Sequence, residues 1–387
     1  GLMRRLLGNI GGALLFPVVA IVLSFAIGAL IILATGYNPV AAYAALFEGA
    51  FGSPASLGRI LLYELRLTDT APSAEDTASL AAIGRTLVNT TPLIFTGLAV
   101  AVAFRAGLFN IGGEGQFFMG AMAAAWLGVS LGFLGFGAIP IVLIACGIAG
   151  FLWGAIPGAL KAYFGAHEVI TTIMLNFIAI FLTSYITRVP LDREGVLPGT
   201  EPIVESAKIP ILGAGLGLAN YGIFLALLAA AAAYLLLWRT KTGFELRAVG
   251  FSPGAANYAG IGIGRNTVLA LAIGGVFAGL GGGIEVMGVY GNMDLPFVRN
   301  VGFNGIGVAL LGRNHPVGVV LGALVFGALA SGAQQMQFDT QVPLDLTTVL
   351  LAVILLFVTA TKLVELVLGK RVRELATGTR LERGLGS

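Results

Sequence analysis

Long apolar runs dominate this 387-residue chain and constrain its fold more than any other feature. A bilayer core about 30 Å thick needs about 20 apolar residues as helix. Runs of that kind lie near 12–35, 87–104, 117–136, 138–160, 169–187, 221–238, 266–290, 316–337 and 344–367. A further run, Phe303 to Leu311, is too short to span unaided. It reads as a half-helix or re-entrant segment, tolerable only where protein buries it. The expectation is an all-α, polytopic membrane protein with about ten transmembrane segments, some of them discontinuous. Charge agrees. Only 11% of the residues are charged, against about 25% in a soluble domain. A secreted, cytosolic or disordered chain is excluded. The 57 glycines read as packing material, because small residues let helices in lipid approach closely.

The sign of the charges orients the chain. With the N-terminus inside and every segment crossing, 15 of the 22 lysines and arginines fall on the cytoplasmic side. These are Arg4, Arg5, Arg105, Lys161, Arg239, Lys241, Arg247, Arg265, Arg313, Lys362 and the tail cluster Lys370, Arg371, Arg373, Arg380 and Arg383. The outside keeps Arg59, Arg66, Arg85, Arg188, Arg193, Lys208 and Arg299. That bias sets orientation and predicts both ends inside, with 369–387 as a basic cytoplasmic tail. The net charge of +3 then speaks for an anionic lipid surface rather than for nucleic acid. The apolar run from Ile10 to Ala34 has no clear small-residue cleavage site and reads as a retained helix. One transmembrane domain over 1–387 is expected. Stretches 36–86 and 188–220 form external loops, read either as loop packing or as a docking face for an external partner.

The inside segment 239–265 is too polar to span and too ordered for a plain linker. Ser252 can cap a helix with Pro253 at its first position. A short helix Pro253–Tyr258 would then stop at Gly260. Such an element invites a partner surface.

Motifs for chemistry are sparse. There is no phosphate loop of the Gly-x-x-x-x-Gly-Lys-Ser/Thr type, no His-Glu-x-x-His and no Gly-x-Ser-x-Gly elbow, so any coupling to ATP must come from another subunit. The lone Cys146 excludes a disulfide framework, and two histidines leave little for metal ligation. The densest polar patch is Phe109-Asn-Ile-Gly-Gly-Glu-Gly-Gln116. Glu114 opens an apolar helix with Asn110 and Gln116 beside it. Two readings stand: a tight turn with a charge at a helix N-terminus, or the polar lining of a passage. Glu168, Thr172 and Asn176 recur at four-residue steps and share one helix face, which serves interhelical hydrogen bonding or a pore. Glu285 lies inside an apolar run and is a functional candidate on that ground; His315, in a loop, reads as structural. A weak internal echo joins Phe109-Asn110-Ile111-Gly112 to Phe303-Asn304-Gly305-Ile306-Gly307, each near an apolar helix, as inverted repeats with interrupted helices would produce.

These residues carry a resemblance. Arg105 to Gln116, Glu168 to Asn176, Leu246 to Gly250 with Ala255 to Ile261, and Gly302 to Gly312 are similar, in that order, to stretches of the permeases of bacterial ABC importers in the branched-chain amino acid and simple-sugar superfamily. The longer permease subunit of nucleoside importers is the nearest branch. The resemblance implies several partners. A second permease paralogue would complete the pore as a heterodimer, and an extracytoplasmic solute-binding protein would deliver the solute. A cytoplasmic ATPase with two nucleotide-binding domains would bind the ATP, and the permease itself would hold no cofactor. It also implies alternating access, with a coupling segment in which Glu245, Arg247, Pro253, Ala255, Ala256 and Tyr258 meet the ATPase. A nucleoside asks for hydrogen-bonding groups beside an apolar or aromatic surface. Asn110, Glu114, Gln116, Asn176 and Asn304 are the expected pathway residues. Ribose or another simple sugar is the alternative solute, an ion-coupled secondary transporter using Glu285 the alternative class, and a membrane enzyme the reading with least support.

Overall fold

A computed structural model describes residues 19, 21–65, 70–193, 197–298 and 300–359. The tail 369–387 and the charges at Arg4, Arg5, Arg66, Arg299 and Lys362 lie outside the described residues. Among those described, the chain is helical throughout. Its extended pairing is limited to two isolated bridges, Gly199 with Asp294 and Ile211 with Asn220.

The helices are α1 (Ile21–Ala34), α2 (Pro39–Phe51), α3 (Pro54–Glu64), α4 (Ala74–Arg105), α5 (Gly113–Ser130), α6 (Ala138–Phe164), α7 (Glu168–Arg188), α8 (Gly222–Arg239), α9 (Lys241–Phe251), α10 (Pro253–Tyr258), α11 (Ile263–Glu285), α12 (Val301–Leu311), α13 (Pro316–Thr340) and α14 (Leu344–Thr359). Six are long and apolar enough to cross a membrane: α4, α6 (with the short turn before it), α7, α8, α11 (with the turn after it) and α13. Three shorter apolar helices, Ile21–Ala34, Val301–Leu311 and Leu344–Phe357, join them.

Local signals explain where several elements differ from the hydropathy reading. Residues 36–86 are mostly helix, not loop. Asn38 Oδ1 accepts from Val40 N at 2.9 Å at the head of α2. Ser53 and Pro54 open α3. A capping box starts α4 thirteen residues before its apolar stretch: Ser73 Oγ accepts from Asp76 N at 3.3 Å, and Asp76 Oδ2 accepts from Ser73 N at 2.8 Å. Arg59 donates to Asp76 from Nε at 2.9 Å and from Nη2 at 2.6 Å, tying α3 to that cap. The expected run 117–136 is α5 followed by a 3₁₀ turn, Gly132–Gly137, bent at Gly135 with φ 54°. The two halves of the internal echo differ in conformation: Phe109 to Ile111 is irregular, whereas Phe303 to Gly307 lies within α12.

The chain divides into two compact units, Gly1–Leu46 with Ala333–Ser387, and Phe47–Gly332. In the first, Tyr43 donates to the Phe25 carbonyl at 2.7 Å, and the two rings meet edge to face at 5.1 Å. In the second, α11 is the central element, packed against α4, α5 and α6. Small residues make this possible. A β-carbon on Gly150 of α6 would overlap the Gly275 carbonyl of α11, so the two backbones touch. Segment 188–220 crosses one end of this unit: Val204 N donates to Gly128 O at 3.0 Å, Ile203 N to Gly291 O at 2.8 Å and Ile209 N to Met287 O at 2.8 Å. At the other end lie the C-termini of α4 and α8, the pair α9–α10, and the α12–α13 loop, joined by the contacts described below.

Candidate substrate passage and coupling face

Four of the five expected pathway residues gather in one buried network around the 106–116 turn. Asn110 Oδ1 accepts from Gly112 N at 3.0 Å. Its amide pairs with that of Gln116 in both directions, Nδ2 to Oε1 at 3.2 Å and Nε2 to Oδ1 at 3.3 Å. Asn176 uses both ends of its amide: Oδ1 accepts from Gly115 N at 2.8 Å, and Nδ2 donates to Ile111 O at 2.9 Å. The shared face of α7 is real, with Thr172 and Asn176 both buried and Glu168 paired with Lys161 at 2.6 Å.

Glu114 does something a sequence reader would not look for. It sits in the first turn of α5, yet its carboxylate serves another helix. Oε1 accepts from Asn300 N and Oε2 from Gly302 N, both at 2.6 Å, at the N-terminus of α12. A helix N-terminus presents unpaired N–H groups and a partial positive charge. The buried carboxylate satisfies two of those donors at once. Gly302 is required there, because a β-carbon would overlap the backbone of Glu114. Thr96 of α4 adds a bond from Oγ1 to Val301 O at 3.1 Å. The short helix is thereby fixed to α5 and α4.

Asn304 stands apart from this network. It lies on α12, with its side chain on the exposed face beside exposed Phe303. The clamped helix thus leaves an amide and the aromatic ring before it in sequence exposed, while the other four residues spend their polar atoms on holding the turn and the helix in place. Glu285 is 6% exposed and forms no ion pair among the described residues. It lies where α11 passes into the π-helical turn Val286–Tyr290.

The opposite end of the unit carries the expected coupling segment. Ser252 Oγ accepts from Ala255 N at 3.4 Å, Pro253 opens α10, and Gly260 stops it with φ 79°. Pro253, Ala255 and Tyr258 are exposed, Tyr258 at 97%, while Ala256 is buried. Glu245 and Arg247 of α9 turn inward instead. Glu245 Oε2 accepts from Asn266 Nδ2 at 3.4 Å, and its Oε1 lies 3.7 Å from Lys241 Nζ. The Arg247 guanidinium lies 5.7 Å from the Trp238 ring.

Trp238, which no sequence argument singled out, is the meeting point of four elements. Arg105, at the end of α4, lies 5.2 Å from the same ring and donates from Nε to Asn314 O at 2.8 Å and from Nη2 to Arg313 O at 3.3 Å. Tyr234 stacks on Trp238 at 5.2 Å, and His315 meets it at 5.0 Å. Burial, and then the Arg105 charge, push the His315 imidazole below its usual pKa. The structural reading of His315 accords with that packing.

The described residues hold six helices long and apolar enough to cross a membrane, a short helix clamped at its N-terminus and an exposed capped helix at one end; comparison with known proteins says what kind of protein this is. The chain belongs to the family described as branched-chain amino acid transport system / permease component, which matches residues 82–359. It is 41% identical over 364 residues to the guanosine ABC transporter permease protein NupP of Bacillus subtilis, covering 92% of this chain and 96% of that one. It is 34% identical to the nucleoside ABC transporter permease protein NupB of Lactococcus lactis, covering 92% and 93%. Likeness to the glucose ABC transporter permease protein TsgB13 of Haloferax volcanii is 32%, covering 88% and 86%. Each of these organisms also has a second similar permease, between 26% and 31% identical to this chain. No solved structure matches. The protein is therefore a multi-pass membrane permease, a transport subunit of an ABC importer and not an enzyme.

Proposed function

We propose that this permease carries nucleosides inward by alternating access. The observation that bears most weight is the likeness to two permeases named for guanosine and for nucleosides over nearly the whole chain. The exposed Asn304 and Phe303 support it, since one supplies a hydrogen-bonding amide and the other a ring surface for a base. In this reading Asn304 lines the passage, and Asn110, Glu114, Gln116 and Asn176 hold the helix that presents it. A second permease paralogue completes the pore, in keeping with the paired relatives. A solute-binding protein delivers from outside, docking on 36–86 or on 188–220. A cytoplasmic ATPase with two nucleotide-binding domains grips Pro253, Ala255 and Tyr258, with Ala256, Glu245 and Arg247 anchoring that element from behind. ATP binds there, and the permease needs no cofactor. Both termini are cytoplasmic, the membrane segments number about ten, and the whole of 1–387 acts as one permease domain.

A simple sugar is the second reading, favoured by the likeness to the glucose permease. The ion-coupled reading built on Glu285 gives way to membership of an ABC permease family. The deciding experiment is uptake in proteoliposomes carrying both permeases, the ATPase and the binding protein. Guanosine should accumulate with ATP inside the vesicle interior that stands for cytoplasm, and excess unlabelled nucleoside should compete. Competition by ribose or glucose but not by nucleosides would transfer the assignment to sugars.

A further inference from the structure

Beside the Trp238 junction lies a cavity of about 510 Å³, lined by Phe104, Arg105, Phe244, Arg247, Ala248 and Phe251 together with Gly250. Four of these, Phe244, Arg247, Ala248 and Phe251, recur at helical spacing and form one stripe of α9. Two guanidinium groups share one indole and one cavity. Neither forms an ion pair with a carboxylate among the described residues. Arg105 has two backbone carbonyls as partners. Arg247 lies at the indole face, and among the described residues its Nε, shut off from solvent, has no acceptor. Nearby, Asn314 Oδ1 is also buried without a partner.

A buried donor on a charged group left without an acceptor is costly. Two like charges at one ring add repulsion, which the cation–π contacts offset only in part. An anion seated in the cavity offsets the second of these, because both arginines line it. The stripe on α9 continues into the exposed helix α10, and Phe251, at the junction, is 94% exposed. What reaches the cavity is therefore positioned by whatever covers α10.

We propose that Arg105 and Arg247 form a receptor for an acidic side chain of the cytoplasmic ATPase, inserted between α4 and α9 beside the α10 contact. This inference rests on the assignment of α10 as the ATPase-docking element. Its occupant is a carboxylate flanked by apolar groups: the arginines supply the forked donors, and the phenylalanine rings supply an apolar rim. Because Arg105 also holds the Arg313 and Asn314 carbonyls, an acid seated here reaches the loop that follows α12.

The test uses the assembled importer with Arg247→Lys, which keeps the charge, and in parallel Tyr258→Lys. A zero-length carbodiimide joins an amine to a carboxylate already in contact, and mass spectrometry locates the link. The expected result is a link from position 247 to an Asp or Glu of the ATPase, with a link from position 258 as well. Arg247→Glu should lower transport-coupled ATP hydrolysis by about tenfold or more. A link from 258 without one from 247 overturns this proposal and leaves the docking element standing. Links from neither position overturn the docking assignment itself. Retention of phosphatidylglycerol by the complex that Arg247→Gln abolishes, with no protein link at 247, overturns it in favour of a lipid headgroup.

Discussion

At the N-terminus of α12 the Glu114 carboxylate has a backbone donor on each oxygen; past the C-terminus of the same helix, Arg247 faces a cavity with its Nε unpaired. The first is a charged group withdrawn from water; the second is part-exposed, with its Nε shut off from solvent. The first is compensated within the chain, and the second is not. A compensated buried charge fixes a geometry, because leaving it breaks short bonds in a low-dielectric setting. The short helix that presents Asn304 is thus pinned hard at one end and connected at the other to groups still lacking a partner. On the reading proposed above, that asymmetry suits a subunit that keeps a passage wall intact while receiving motion from the cytoplasmic side.

Breaking the compensated end should have the largest effect. Glu114→Ala strands the buried Gly302 N–H, at a cost of about 1–3 kcal/mol, and the part-buried Asn300 N–H at a smaller one. Thermal unfolding of the purified permease in detergent should shift strongly downward, and uptake should be lost. An unchanged melting temperature would mean that the clamp is not what holds α12. Asn176→Ala should follow, since it leaves Gly115 N and Ile111 O unpaired, with a loss of about 1–3 kcal/mol read in the same assay.

The comparison is sharpened by variants that separate folding from function. Trp238→Leu removes the ring between the two guanidiniums, and cation–π contacts are worth about 0.5–1 kcal/mol each at exposed sites. The melting temperature should fall slightly, whereas ATP hydrolysis should lose its dependence on the loaded binding protein. Intact coupling in that variant would deny the junction a part in transmission. Asn304→Ala should leave stability alone and lower nucleoside uptake about fivefold, the worth of one hydrogen bond of about 1 kcal/mol. A melting shift without an uptake defect would reverse the roles given to Asn304 and Asn176.

The smallest effect concerns pH. His315 has its pKa depressed in the folded chain, by burial first and by Arg105 second. The unfolded chain therefore binds that proton more readily. The histidine costs nothing above its unfolded pKa, and stability falls as pH drops below that value toward the folded one. His315→Gln should flatten the acid side of the stability profile, measured as melting temperature against pH. A profile that keeps its slope would assign it to other groups.

Much of the plan was legible in residue order, for reasons that act over short distances. Hydropathy identified α6, α7, α8 and α11 to within a few residues, because a run of apolar side chains needs no distant partner to favour helix in lipid. Ser252, Pro253 and Gly260 delimited α10 because a cap is a bond within one turn. The same kind of signal, Ser73 with Asp76, was present at the head of α4 and was hidden by the polarity of its surroundings. Asn110, Glu114, Gln116 and Asn176 were recognisable as one polar group. Their division from Asn304 was not, nor was the part played by Trp238.

What the sequence alone determined is an all-helical chain embedded in lipid, its short capped helix, and one group of polar residues at 110–116 and 176. Only tertiary structure decided that Glu114 would clamp a helix 186 residues away, that Asn304 would face outward, and that Arg105 and Arg247 would share one indole. Hydropathy and capping are free energies settled within a turn or a span. A partner for a buried charge is settled by which backbones can touch, and here that depends on close approaches among helices distant in sequence.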